Sequence, residues 1–106
     1  MRDAVIVSTA RTPIGRAYLP APTLGGHAIR NAVQRAGVDP ASIDDVIMGA
    51  ALTQGSGGMN IGRLAALAGD LPVTVAGMTL DRQCSSGMYA IANAANSIRT
   101  GDTNIM

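Results

Sequence analysis

Residue 84 is the chain's single cysteine, and it stands in Asp81-Arg82-Gln83-Cys84-Ser85-Ser86-Gly87, between a β-branched stretch and an apolar helical one. Cysteine does nucleophilic chemistry as the thiolate. A helix that begins at or just before Ser85 sets the sulfur beside unpaired backbone N–H groups and the positive end of the helix dipole. Those surroundings favour the thiolate, and the same N–H groups suit an oxyanion forming on an attacked carbonyl. Ser85, Ser86 and Gly87 are small enough to leave the approach open. A plainer reading stands beside this one, because a free cysteine commonly serves as a small buried hydrophobe. Residue types alone leave both open. A single thiol does exclude a disulfide within the chain.

Other residues with chemical potential are less connected. His27 falls on the Asn31 side of a helical pattern, opposite Leu24 and Ala28, and nothing ties it to Cys84 as a general base. Arg16 and Arg63 suit a phosphate, yet isolated arginines are mostly solvated or paired with aspartate. Met48, Met59, Met78 and Met88 read as core filling ahead of an acyl tunnel. The Gly55–Gly58 stretch lacks the spacing of a dinucleotide- or phosphate-binding loop. No set of metal ligands is read.

The elements that must hold Cys84 follow from the hydrophobic pattern. Ala4–Ser8 is a β-branched run that ends at the turn Arg11-Thr12-Pro13-Ile14-Gly15. Leu24, Ala28, Ala32 and Ala36, with Ile29 and Val33, predict a helix over Thr23–Ala36, closed by Gly37. Asp39-Pro40 caps one short turn. Val46–Met48 is the second strand, followed by a glycine-rich loop at 53–58. Asn60 caps a helix through Ile61, Leu64, Ala65 and Ala68, which Gly69 and Pro72 stop. Val73–Leu80 is the third strand. Residues 82–86 turn into a third helix, and Ile105-Met106 begins a fourth strand. Strands alternating with helices predict an α/β fold, βαβαβα(β), with a mostly parallel sheet. The third helix has no charge between Arg82 and Arg99 and is apolar almost all round, so it is expected to be buried.

The composition sharpens that expectation. Of the 106 residues, 47% are hydrophobic and only 14% charged, which leaves too little polar surface to cover the apolar mass. Further cover must come from more of the same protein or from a second subunit. A net charge of +1 gives no footprint for nucleic acid or a membrane surface. The run Ala4–Val7 is too short for a signal sequence or a membrane span, so a cytoplasmic protein is expected.

The cysteine segment resembles the active-site motif of the thiolase family: a strand, a short Arg-containing turn, Cys, small residues, Gly, then an apolar helix. Arg11-Thr12-Pro13-Ile14-Gly15-Arg16, Gly58-Met59-Asn60-Ile61-Gly62-Arg63 and Gly101-Asp102 are similar to other stretches of that family, in the same order. The resemblance implies that residues 1–106 are an incomplete N-terminal thiolase domain, part of a layered fold. It implies an acyl-CoA acyltransferase, cleaving 3-ketoacyl-CoA by thiolysis or running the reverse. Cys84 is then the acyl acceptor and its own N–H an oxyanion donor. Coenzyme A is a substrate, with no permanently bound cofactor. A homodimer or homotetramer is expected, with Val73–Leu80 at the subunit edge. Gln83-Cys84-Ser85-Ser86-Gly87 looks closer to the degradative 3-ketoacyl-CoA thiolases than to the biosynthetic ones. Two departures are visible: Asp81 stands where asparagine is usual, and Ala17–Pro22 is short for the family. The histidine base, second cysteine and coenzyme A-binding loops of the family correspond to positions beyond residue 106. Two alternatives remain at this point, a β-ketoacyl synthase-type condensing enzyme and a non-catalytic fragment or dimerisation module.

Overall fold

A computed structural model describes residues 1–106. Three helices and two strands follow one another as α1 (Ala21–Ala36), β1 (Asp45–Gly49), α2 (Ile61–Ala68), β2 (Ala76–Leu80) and α3 (Ser86–Thr100). The strands pair in parallel, from Asp45 opposite Ala76 to Gly49 opposite Leu80. A parallel pair requires a crossover, and α2 is that crossover. The α/β class and the parallel sheet expected from the sequence are therefore present.

Local chemistry explains most element ends. Gly37 closes α1 in the left-handed region, at φ 67°. Asp39 accepts the Ala41 N–H at 2.9 Å and starts the short 3₁₀ turn Pro40–Ser42. Asn60 is anchored on both sides at the head of α2. Its side chain accepts from the Arg63 N–H and from the Thr79 hydroxyl, the latter at 2.8 Å, and donates to the Gly77 carbonyl at 2.9 Å. Thr79 in turn accepts the Gly62 N–H. The first turn of α2 is thus fastened directly to β2.

Side chains alternate across a strand, and this divides the layers. Met48 approaches α1 and α2, whereas its neighbour Gly49 meets the start of α3. The sheet therefore has α2, backed by α1, on one face and α3 on the other. The core lies on the first face, where Ile43, Ala66, Leu71 and Val75 are buried and Ile29, Val33, Val38 and Val46 pack around them. Burying one such valine or leucine contributes about 1.5–3 kcal/mol.

Three expectations need correction. Ala4–Ser8 is not a strand, because it has no ladder partner. Side chains hold the segment instead: Ser8 donates to the Ala32 carbonyl and Arg35 to the Thr9 carbonyl, both at 2.7 Å. Arg2 donates to the carbonyls of Ile98 and Thr103 and to the Asn104 side chain. The segment walls an apolar gap of about 440 Å³ shared with α1, α3, Ile105 and Met106. Strand β2 starts three residues later than expected, since Val75 donates to the Pro72 carbonyl and closes a turn there. Ile105 makes one strand-like bond, accepting from the Asp44 N–H at 2.9 Å, but no strand forms. Within these residues α3 is buried only at Ser86 and Ala90, with Met88 and Ile91 73% and 58% exposed, so the burial its sequence calls for needs cover from outside them. Its apolar outer face has no cover among these residues.

Two predictions follow from this packing. A Cβ at Gly62 would overlap the Met78 carbonyl, so Gly62→Ala must push α2 off β2. It is expected to destabilise the full-length protein by about 1–3 kcal/mol, read as a lower urea midpoint. An unchanged midpoint would contradict the close approach. The second concerns Asp44, whose carboxylate accepts the Asn104 N–H at 2.6 Å and the Ile105 N–H at 3.2 Å. These bonds, Asn104's first, hold its pKa below the ordinary range against an opposing desolvation, with the positive charge of Arg2 adding the smallest share. A lowered folded pKa stabilises the fold above the unfolded aspartate value of about 3.9, and that contribution is lost as pH falls through the folded value. The stability gap between the wild type and Asp44→Asn, measured by urea unfolding from pH 6 to pH 2.5, should therefore close below about pH 4.

Candidate active site

The strand-to-helix passage is built from short hydrogen bonds. After Leu80, the Asp81 carboxylate accepts the Gln83 N–H at 2.9 Å, the bond by which an aspartate makes a turn two residues long. Gln83 then adopts a left-handed conformation, φ 51°, unusual for a residue with a side chain. Ser85 donates its hydroxyl to the Arg82 carbonyl at 2.9 Å. Ser86 accepts the Arg82 N–H at 2.8 Å and donates to the Gln83 carbonyl at 2.7 Å. Helix α3 starts at Ser86, and the backbone there lies so close to Gly49 that no side chain fits at that position.

Cys84 occupies the outside of this turn, exposed and unpaired. The serine hydroxyls face backward, and the helix-capping residue Ser85 makes no side-chain cap bond. The N–H groups of Cys84, Gly87 and Met88 consequently find no acceptor within the chain. No acidic residue sits in the first turn of α3 to neutralise its positive end. The turn that bears the thiol therefore carries free backbone donors, which can stabilise negative charge on an attacked carbonyl oxygen. Beside it the Arg82 guanidinium lies 4.5 Å from the centre of the Tyr89 ring, a cation–π contact along the outer edge of α3.

The other sequence candidates are not brought to Cys84. His27 is exposed on α1, with its Nε2 3.3 Å from the Asn31 amide and no contact with the thiol. Arg63 is engaged structurally, donating to the carbonyls of Val73 and Val75. Met59 and Met78 are not core filling: Met59 is 90% exposed, and both line a recess of about 450 Å³ with Thr53, Asn60, Thr79 and Asp81. Asp81 in place of asparagine leaves the turn intact, since the acceptor it supplies is one an amide carbonyl also offers. Reading Ser85 and Ser86 only as small residues missed their role in the turn. The signal was present in the doubled serine after a turn-forming aspartate, a pattern rich in local side-chain to backbone bonds.

Residues 4–106 match the family described as "Thiolase, N-terminal domain". The chain is 47% identical over 111 aligned residues to an acetyl-CoA acetyltransferase of Cupriavidus necator, covering 100% of this chain and 28% of that protein. A 3-ketoacyl-CoA thiolase of Bacillus subtilis is 43% identical over 108 residues, covering 95% and 27%. Among solved structures, the Acat5 thiolase of Ascaris suum in complex with coenzyme A superposes with a TM-score of 0.89 at 31% identity, over 96% of this chain and 28% of that one. The chain thus spans a little over a quarter of the relatives it matches. With the turn, the layers and these likenesses in agreement, the chain belongs to the thiolase family, matching its N-terminal domain over residues 4–106.

Proposed function

We propose that the full-length protein carrying this chain is an acyl-CoA acyltransferase of the thiolase type, with Cys84 taking the acyl group. The observation that carries this reading is the exposed thiol on the turn at the head of α3, where N–H groups are left unpaired, in a chain that matches the thiolase N-terminal domain. In thiolysis the Cys84 sulfur attacks the C3 carbonyl of a 3-ketoacyl-CoA. The C2–C3 bond breaks, acetyl-CoA leaves as an enolate and takes a proton, and the shortened acyl group remains as a thioester on the sulfur. The thiol of coenzyme A then attacks that thioester, giving its proton to a base, and Cys84 is released. In the reverse direction Cys84 takes an acetyl group from one acetyl-CoA, and the enolate of a second attacks it. The negative oxygen formed at each attack is met by the Cys84 N–H.

His27 is not placed to move these protons, so the bases belong to other parts of the protein. The β-ketoacyl synthase-type reading gives way to the thiolase match. The non-catalytic reading applies to residues 1–106 taken alone, which hold a nucleophile without a base. A homodimer or homotetramer belongs to the same proposal. It is supported by the uncovered apolar residues Val73, Met88 and Ile91 and by the unpaired outer edge of β2. A cytoplasmic location fits an exposed free thiol, which persists in a reducing compartment.

Incubating the full-length protein with acetyl-CoA or a 3-ketoacyl-CoA should leave an acyl group on the peptide that contains Cys84, detected by mass spectrometry. The same incubation should protect Cys84 from iodoacetamide. Cys84→Ser should lower turnover at least about a thousand-fold, the scale on which loss of a nucleophile acts. Turnover with Cys84 free of acyl groups would sink the assignment. Residues 1–106 expressed alone should show no thiolytic turnover above background.

A further inference from the structure

We infer that Ser86 is a positioning residue for the acyl transfer, one that fixes the direction of the Cys84 N–H. Ser86 is the chain's one buried polar residue, 4% exposed. Its hydroxyl is committed on both sides to the residues before the cysteine, accepting from the Arg82 N–H at 2.8 Å and donating to the Gln83 carbonyl at 2.7 Å. Its own N–H reaches the same carbonyl at 3.1 Å. The Gln83 carbonyl and the Cys84 N–H belong to one peptide unit, which is planar and trans. Holding the carbonyl inward against Ser86 therefore turns the Cys84 N–H the opposite way, where it has no acceptor.

The backbone gives this restraint something to resist. Gln83 sits at φ 51°, a left-handed conformation that is unfavourable for a residue with a side chain. Rotating the Gln83–Cys84 peptide is the local motion that redirects both of its dipoles. The Ser86 hydroxyl opposes that rotation, and Gly49 holds Ser86 in place by leaving its backbone no room to retreat. The serine touches neither the sulfur nor an acyl group; it acts through the peptide that it anchors. This inference rests on the acyltransferase reading, because an oriented N–H matters only where a carbonyl oxygen becomes negative.

The test compares two reactions of the same thiol in the full-length protein. Acylation by acyl-CoA passes through an oxyanion, whereas alkylation by iodoacetamide displaces iodide and forms none. Ser86→Ala is expected to slow acylation of Cys84 about 10- to 100-fold, a misplacement effect, while alkylation of Cys84 stays within about twofold and KM changes little. Ser86→Thr, which keeps the hydroxyl, should recover most of the acylation rate. Should Ser86→Ala fail to fold by circular dichroism, Ser86→Cys supplies the same comparison with a similar volume and a much weaker hydrogen-bonding group. Equal acylation in the wild type and the hydroxyl-less variant would overturn the inference, as would a parallel fall in acylation and alkylation. If the wild type itself takes no acyl group, the failure lies with the acyltransferase reading and is visible before any Ser86 variant is made.

Discussion

The contact on which this domain turns is the one between Gly49 and the first residues of α3. With no side chain at the end of β1, the backbone of Ser86 and Gly87 comes down onto the sheet. That approach fixes where α3 starts. The start of α3 fixes the length of the passage from Leu80, in which Gln83 takes a left-handed conformation. Cys84 is then carried to the outside of the turn. An exposed thiol at residue 84 is in this sense a consequence of a missing methyl group at residue 49. The Asn60–Thr79 bonds have the same character on the other face, where they set α2 on β2.

Much of this could be read from the residues themselves. Gly37, Asp39-Pro40, Asn60 and Gly69 marked element ends because each carries local chemistry that needs no partner elsewhere in the fold. The position of Cys84 between strand and helix was legible for the same reason. What sequence could not supply was decided between distant segments. The β-branched run Ala4–Ser8 has every local preference of a strand, yet a strand exists only beside another, and here Ser8 bonds Ala32 while the flanking Thr9 and Arg2 bond Arg35 and Ile98. The apolar character of α3 was read correctly as a demand for cover, but the cover is not supplied by these residues. The back-turned hydroxyls of Ser85 and Ser86 escaped notice because their partners, the backbone groups of Arg82 and Gln83, are visible only once the turn is folded.

The distribution of burial describes how the domain meets its surroundings. Only 11 of its 106 residues are buried, nearly all on the α1–α2 side of the sheet. The side that presents the cysteine is open, with Met88, Tyr89 and Ile91 at the surface. Stability and chemistry are thus separated by the thickness of a two-stranded sheet. Changes on the α2 face act on folding, whereas changes on the α3 face act on whatever is laid over Cys84.

Arg2 introduces a question of timing. Its three acceptors lie at Ile98, Thr103 and Asn104, roughly a hundred residues further along the chain. Of these residues, the segment around Arg2 is therefore made well before its seat exists, and the loop it must close spans about a hundred residues. Throughout that interval Ala4–Val7 is an unprotected apolar run of the kind that seeks edge-to-edge association. Arg2 and Asp3 stand directly in front of it, two opposite charges that discourage stacking of one nascent chain on another. The residue that finally pins the segment down is also one of the pair that guards it beforehand.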